Sequence, residues 1–328
     1  MSEILAKIRV PIAQEMSEFN DIFRASLSHT DGLLAEVLHR ILQHEGKQMR
    51  PLLTLLSAKA IRPDADCHST NIAATSLELL HTASLVHDDV VDESNQRRGQ
   101  QSVNAAYDNK VAVLVGDYIL STALKQMACL ADQRMTTVLS VLGQTLSSGE
   151  VEQLQAVSDM TFSEETYYNV IRKKTAALFE ACCHLGALSV GASADEIARI
   201  REFGQNLGIV FQIRDDIFDY FDSKEIGKPT GNDMREGKLT LPVLYCLNNG
   251  APVEVCDIAR RVKALKASND DIAALIAYTK ANGGIEYAQQ VMDEYYQKAV
   301  AYINNNVEDG PIADALQMYA AYVVGRDM

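Results

Sequence analysis

Residues 69–93, STNIAATSLELLHTASLVHDDVVDE, read as a helix that is apolar almost all the way round. A helix without a polar face is stable only where other helices cover every side of it. Its stretch from 69 to 92 spans roughly 36 Å at 1.5 Å per residue, enough to cross a whole domain. Ser69 offers a cap for its first turn. The rest of the chain can supply the cover. Gly (18) and Pro (7) in 328 residues fall well below their usual combined share of roughly 12%. So few breakers favour long helices over many strands and turns. Behind Asp31, a possible cap, an apolar stripe runs through Leu33, Leu34, Val37, Leu38, Ile41 and Leu42 at helical spacing. Pro51 suits the first turn of a helix over 52–60.

Further helices are expected at 111–129, 133–157, 163–190 and 194–221, the last opened by a Ser193–Glu196 capping box. Shorter ones follow at 238–248, 253–267, 269–281, 284–305 and 311–325, with loops at 222–237 and 306–311. No strand-and-hairpin series occurs. VAVLV at 111–115 is β-branched but runs into GDYILSTALKQM without a turn signal, so helix is expected there. The reading is one all-α domain over 1–328, with residue 222 as the place where a subdivision would fall.

Composition narrows the function classes. Thirty Lys and Arg against 44 Asp and Glu leave a net charge of −14, which disfavours nucleic acid and anionic lipid as non-specific partners. The N-terminus mixes acids into its apolar residues and has no secretory h-region, and no run of 18 apolar residues is evident, so neither a signal peptide nor a membrane anchor is expected. Cys67, Cys129, Cys182, Cys183, Cys246 and Cys256 form no CxxC. They read as buried free thiols in a reducing compartment, and the location expected is cytoplasmic.

The long helix at 69–93 ends in HDDVVDE, and the helix at 194–221 ends in RDDIFDY. Helical spacing puts Asp88 with Asp92 on one face, and likewise Asp215 with Asp219. Like charges at i, i+4 destabilise a bare helix, and the dipole disfavours anions at a C-terminus. The neighbouring residues are apolar, so a cation must compensate. One such cluster reads equally as a solvated helix end; two of them in apolar helices favour a metal. Mg²⁺ takes one or two carboxylates and keeps positions open for substrate phosphates. Basic residues surround both clusters: Lys47 and Arg50 in GKQMRP, Arg97 and Arg98 in RRG, Lys174 in KKTAALF, and Lys228 and Lys238 in GKPTGNDMREGKLTLP. Arg offers phosphate a rigid fork and Lys a point charge. Lys173 reads instead as a salt-bridge partner, Tyr167 and Tyr168 as packing residues, and His87 as a core or supporting residue. His81 lies nearly two turns before Asp88, and a neutral imidazole there can donate to a phosphate oxygen.

GKQMRP, LLHTASLVHDDVVDESNQRRG, KKTAALF, LGIVFQIRDDIFDY and GNDMREGKLTLP together resemble the trans-isoprenyl diphosphate synthases, the polyprenyl synthetase family, in order and over about residues 30 to 325. The resemblance implies an isoprenoid synthase-type bundle of helices around a deep central cavity, usually in a homodimer. It implies condensation of isopentenyl diphosphate with an allylic diphosphate such as farnesyl diphosphate, with two or three Mg²⁺ ions. Asp88, Asp92, Asp215 and Asp219 then resemble the metal ligands. Arg97, Lys174, Gln212, Lys228 and Lys238 are similar to residues on the allylic diphosphate. Lys47, Arg50, His81 and Arg98 resemble the isopentenyl diphosphate site, and Thr175 and Phe211 the neighbours of the reacting carbons. Asp89 and Asp216 fill their motifs in a supporting role. Two departures stand out. Glu45-Gly46 precedes Lys47 where the family often has two glycines, and Asn232 replaces a frequent acid although Asp233 is kept.

Product length should depend on what lies below the first cluster. Ser84 and Ala83, four and five residues before Asp88, are small, and Leu80, Leu79 and Ser76 bring no aromatic ring. A long product is therefore expected, C30 or more and octaprenyl-like at C40–C50, suited to a quinone side chain. The rivals are a shorter-chain synthase, a cyclising terpene synthase, a non-catalytic subunit of a hetero-oligomeric synthase, and a purely structural helical scaffold.

Overall fold

The computed structural model describes residues 3–43, 46–97, 99–158, 160–221 and 230–325. Helices follow the periodicity of the sequence. The chain runs through α1 (Glu3–Arg9), α2 (Ala13–Ser26), α3 (Gly32–Gln43), α4 (Met49–Ile61) and α5 (His68–Val91). After a two-residue antiparallel pair, Gln96–Arg97 with Gln100–Gln101, come α6 (Val103–Ala106), α7 (Asn109–Ala128), α8 (Gln133–Ser158), α9 (Glu164–Ile171) and α10 (Ala177–Ser189). Then follow α11 (Ala194–Phe218), α12 (Asn232–Arg235), α13 (Leu241–Asn248), α14 (Val253–Lys263), α15 (Asn269–Ala281), α16 (Gly284–Asn306) and α17 (Pro311–Val324). The chain is all-α, as expected.

Two compact units can be distinguished. One comprises Met1–Gly143, Ala181–Arg201 and Ile303–Tyr319; the other comprises Gln144–Glu180, Glu202–Tyr302 and Ala320–Met328. In the first, α5 packs against α2, α4 and α7. Leu77, Leu79, Ala73 and Ala74 of α5 are fully buried, as are Leu52, Leu53, Leu55 and Leu56 of α4. Each such leucine contributes about 2 kcal/mol of transfer free energy. Even the polar residues of α5 are enclosed. Thr70, Asn71, Thr75 and Ser76 are fully buried, with Thr70 hydrogen-bonded to Ser189 at 2.7 Å and Asn71 donating to Glu18 at 3.0 Å. In the second unit, Phe203 stacks on Tyr302 and Tyr245 on Tyr287, at centroid distances of 4.9 and 4.2 Å.

Three local expectations are corrected, and residues 3–26, for which no element was expected, are helical. The helix cap of α5 is Cys67, with no side-chain cap bond, rather than Ser69. The helix expected over 163–190 is broken by a π-turn at Arg172–Ala176. Residues 3–26 form α1, a 3₁₀ turn and α2, burying Met16, Phe19 and Phe23 along one stripe. Cys129 is exposed, while Cys67, Cys182, Cys183 and Cys246 are buried; all six are free thiols. The Ser193–Glu196 box forms as expected, with Ser193 N–H donating to Glu196 at 2.8 Å and Glu196 N–H to Ser193 Oγ at 3.3 Å. By length and composition α7 is the one helix among the described residues apolar enough to cross a membrane, and 33% of that stretch is buried.

Candidate active site

The first aspartate cluster belongs to the first unit and the second cluster to the second unit. In the first, α5 stops just before Asp92 because the chain turns left-handed at Glu93 (φ +49°). Ser94 N–H then reaches back to Asp89 O at 2.9 Å, the six-to-one bond of a Schellman ending. Ser102 Oγ donates to Ser94 O at 2.6 Å, and Asn104 Nδ2 donates to Asp89 O and Ser94 O at 3.1 and 3.2 Å. These bonds fold the Gln96–Gln101 hairpin back along the helix end, and Gly99 (φ +76°) makes its turn. The result brings Arg97 onto Asp89. Arg97 Nε donates at 2.9 Å and Nη2 donates to the same oxygen. Asp89 is buried and thus supports Arg97, while Asp88 is half-buried and Asp92 exposed at the helix end. Arg98 lies outside the described residues.

In the same unit, Lys47 just before α4 is exposed, Arg50 of α4 is half-buried and His81 of α5 is buried. Ala83 is 2% exposed and Leu80 3%. Ser84 Oγ turns inward along its own helix to His81 O at 2.9 Å. His87 points elsewhere: its Nε2 lies 3.2 Å from Val113 O and 3.4 Å from Asp117, in a slot opened by Gly116. A direct catalytic part for His87 is therefore not indicated.

In the second unit, one chain of hydrogen bonds crosses three elements. Tyr167 Oη of α9 donates to Asp216 of α11 at 2.6 Å. Gln212 Nε2 donates to the other oxygen of Asp216 at 2.8 Å, and Gln212 Oε1 accepts from Thr175 of the π-turn at 2.6 Å. The π-turn displays Lys174, whose Nζ meets Glu150 at 2.6 Å and Gln153 at 3.2 Å. Lys173 pairs with Glu152, the structural role expected of it. Two glycines accommodate this turn. A Cβ on Gly149 would lie 2.8 Å from Lys173 Cβ, and one on Gly208 2.4 Å from Ala176 Cα. Because that neighbour is backbone, Gly208→Ala is expected to cost about 3 kcal/mol in urea unfolding. A variant as stable as the parent would show that the turn yields freely.

Asp219 has a job the spacing argument missed. Its two carboxylate oxygens accept from Asn232 N–H at 2.9 Å and Asp233 N–H at 3.0 Å, and its carbonyl accepts from Gly231 at 2.8 Å. It thereby caps α12, more than ten residues further along the chain, and sets Asp233 near Asp216. Burial, then the charge of Asp219, pushes the Asp233 carboxyl up to about 7. Burial, then the charge of Asp233, holds Asp216 well above the ordinary carboxylate range. Asp219 is raised by burial, against the pull of its two N–H donors. Asp216 is buried and Asp219 and Asp233 are half-buried, and a divalent cation beside them would offset the mutual repulsion of their carboxylates. Among the described residues no three His, Cys, Asp or Glu side chains gather into a full metal cage. An open site of that kind suits Mg²⁺, which is held by one or two carboxylates with water and phosphate completing the shell.

Beside this network lies a cavity of about 200 Å³, lined by Lys174, Thr175, Gln212, Asp216, Asp233 and Lys238 together with apolar Val157, Val170, Ile171 and Leu244. Lys238 meets Glu236 at 2.5 Å. Phe211 lies 5.3 Å from Phe179, ring to ring, and Asp215 is half-buried. Lys228 lies outside the described residues, as does Glu45. Sequence reasoning missed Tyr167, Glu150 and Gln153 as members of the site. Tyr167 stands seven residues before Lys174, two helical turns on one face, and that spacing was the available signal.

Comparison with known proteins places the chain in a family and a fold. The sequence model of the family described as polyprenyl synthetase matches residues 31–279. Octaprenyl diphosphate synthase of Escherichia coli (strain K12) is 35% identical over 324 residues, covering 98% of this chain and 99% of that protein. The crystal structure of geranylgeranyl pyrophosphate synthase from Bacteroides thetaiotaomicron is 46% identical with a TM-score of 0.86, covering 99% of this chain and 100% of that one. A polyprenyl synthase from Caulobacter crescentus CB15, complexed with calcium and isoprenyl diphosphate, is 28% identical with a TM-score of 0.89, covering 98% of each chain.

Proposed function

Because the chain belongs to the polyprenyl synthetase family and is a prenyltransferase, we propose that it condenses isopentenyl diphosphate with an allylic diphosphate to build a long all-trans polyprenyl diphosphate. The family acts on isoprenyl diphosphates and uses a divalent metal to bind them. The observation that carries the reading is the cavity at the second aspartate cluster, which brings Lys174, Gln212 and Lys238 to one wall with Asp216 and Asp233.

Asp88, Asp92, Asp215 and Asp219 would hold two or three Mg²⁺ ions, which supply charge neutralisation and Lewis acidity to the allylic diphosphate. Arg97, Lys174, Gln212, Lys228 and Lys238 hold that diphosphate and stabilise the charge it gains as a leaving group. The allylic C–O bond breaks with its electron pair going to the diphosphate. The alkene of isopentenyl diphosphate, held by Lys47, Arg50, His81 and Arg98, donates its electron pair to form the new C–C bond. The resulting cation loses a proton to the released diphosphate and regains a double bond. Thr175 and Phe211 line the reacting carbons, and the aromatic face favours a nearby cation. Apolar walls keep water from quenching it.

Small residues below Asp88 support a long product, C40–C50, of the kind a quinone side chain needs. A C20 product is the second reading, favoured by the 46% identity to a geranylgeranyl pyrophosphate synthase. A cytoplasmic homodimer fits the chain: Val113, Leu114 and Leu124 leave an apolar face of α7 exposed for a second copy to cover.

The test is mass spectrometry of the product from purified protein, isopentenyl diphosphate, farnesyl diphosphate and Mg²⁺, with an EDTA control. A ladder ending at C40–C50 that vanishes with EDTA is expected. A ladder ending at C20 keeps the chemistry and overturns the length. No condensation by the chain alone favours a subunit that needs a partner.

A further inference from the structure

The GKQMR segment is held by three side chains from outside the stretch that matches the family: Arg9, Asn20 and Tyr319. All lie in the first unit. Arg9, the last residue of α1, directs Nη2 at Lys47 O (2.9 Å) and at Gln48 Oε1 (3.3 Å). Gln48 Nε2 donates to Asn20 Oδ1 of α2 at 2.7 Å. Asn20 uses its own Nδ2 on Met16 O at 2.8 Å, which turns Oδ1 towards Gln48. Tyr319 of α17 is fully buried and donates to Met49 O at 3.1 Å.

These bonds converge on an unusual backbone. Gln48 is 8% exposed and left-handed, at φ +54° and ψ +39°, immediately before α4. Residues with a side chain rarely adopt that conformation, and it persists where the surroundings over-determine it. Here the Gln48 amide is bonded at both ends, and the carbonyls on either side of it are bonded too. The bend orients Lys47 as the chain enters the helix and starts α4 in the register that places Arg50 on its first turn.

We propose that Arg9, Asn20 and Tyr319 are positioning residues for isopentenyl diphosphate, locking the Lys47–Arg50 bend into its binding form before the ligand arrives. The proposal rests on the reading of Lys47 and Arg50 as contacts of that ligand. A bend ordered in advance does not have to be ordered on binding, so its loss shows as weaker binding of that one substrate. The allylic diphosphate meets other residues and is unaffected.

The experiment is steady-state kinetics on the full chain, varying isopentenyl and farnesyl diphosphate in turn, with thermal melting of each variant. Arg9→Met and Tyr319→Phe are expected to raise KM for isopentenyl diphosphate about tenfold, with KM for farnesyl diphosphate and kcat held within about twofold. Gln48→Gly separates positioning from stability. Glycine eases the left-handed backbone, so Tm should hold or rise, yet the side-chain bridge is gone and the same KM should still increase. A KM for isopentenyl diphosphate that stays level while Tm falls overturns the proposal. Equal rises in both KM values overturn it as well. Failure of the parent protein to condense the two substrates instead overturns the reading on which the proposal rests.

Discussion

Asp88→Asn and Asp215→Asn are each expected to lower kcat/KM by about a thousandfold, roughly 4 kcal/mol of transition-state stabilisation. Loss of one well-placed group at a developing negative charge typically costs about a hundred- to a thousandfold, and a metal ligand serves every oxygen its ion contacts. Stability should move the other way. Both residues sit near the C-terminal ends of their helices, α5 and α11, where an anion is disfavoured by about 0.5 kcal/mol. Asparagine keeps the shape and removes the charge, so urea unfolding should show a variant at least as stable as the parent. Inactivity with unimpaired stability separates a metal ligand from a structural carboxylate. Activity within tenfold of the parent at saturating Mg²⁺ would remove these two residues from the metal site.

Asp219 and Asp89 should respond differently. Asp219 caps α12 through two N–H bonds, and Asp89 is buried under Arg97. Both are anchored in the protein itself, so changes there mix folding with function.

Ala83→Phe is expected to shorten the product from C40–C50 to about C20 or less, a change in kind rather than in rate. Ala83 is 2% exposed on α5, roughly 7.5 Å below Asp88 along the helix axis. On the proposed reading, in which the product grows along this face of α5, a phenyl ring there would stand across its path. Ala83 is buried, so the new ring must displace its neighbours, and overpacking costs about 1–3 kcal/mol. Ser84→Phe, at a half-buried position, carries the same test with less strain. Condensation should continue in both, read by mass spectrometry. An unchanged product length in folded, active variants would mean that the chain grows past some other face.

Much of this was legible before any coordinates. The burial of α5 on all sides follows from TSLELLHTASLVHDDVVDE, and the Ser193–Glu196 box from two residues three apart. These are local facts, settled by neighbours within a turn or two of helix. The i, i+3, i+7 stripe Met16, Phe19, Phe23 of α2 obeys the same logic and was readable, though the acids among it obscured it. The π-turn at 172–176 was not readable. Gly149 and Gly208, distant in sequence, lie close against it, and no local propensity reports that approach.

The sequence by itself determined the helical class, the helix carrying each aspartate cluster, and the residue types that can hold a diphosphate, because spacing along a helix sets which side chains share a face. Tertiary structure alone decided what those side chains do with one another. It turned Tyr167 from a packing residue into the partner of Asp216, used Asp219 to cap the helix that starts at Asn232, and bent Gln48 under Arg9, Asn20 and Tyr319. Each of these is a hydrogen bond made in a buried or partly buried place, between residues far apart in the sequence. Whether such a place exists depends on which distant segments fold against it, and periodicity along the chain carries no record of that.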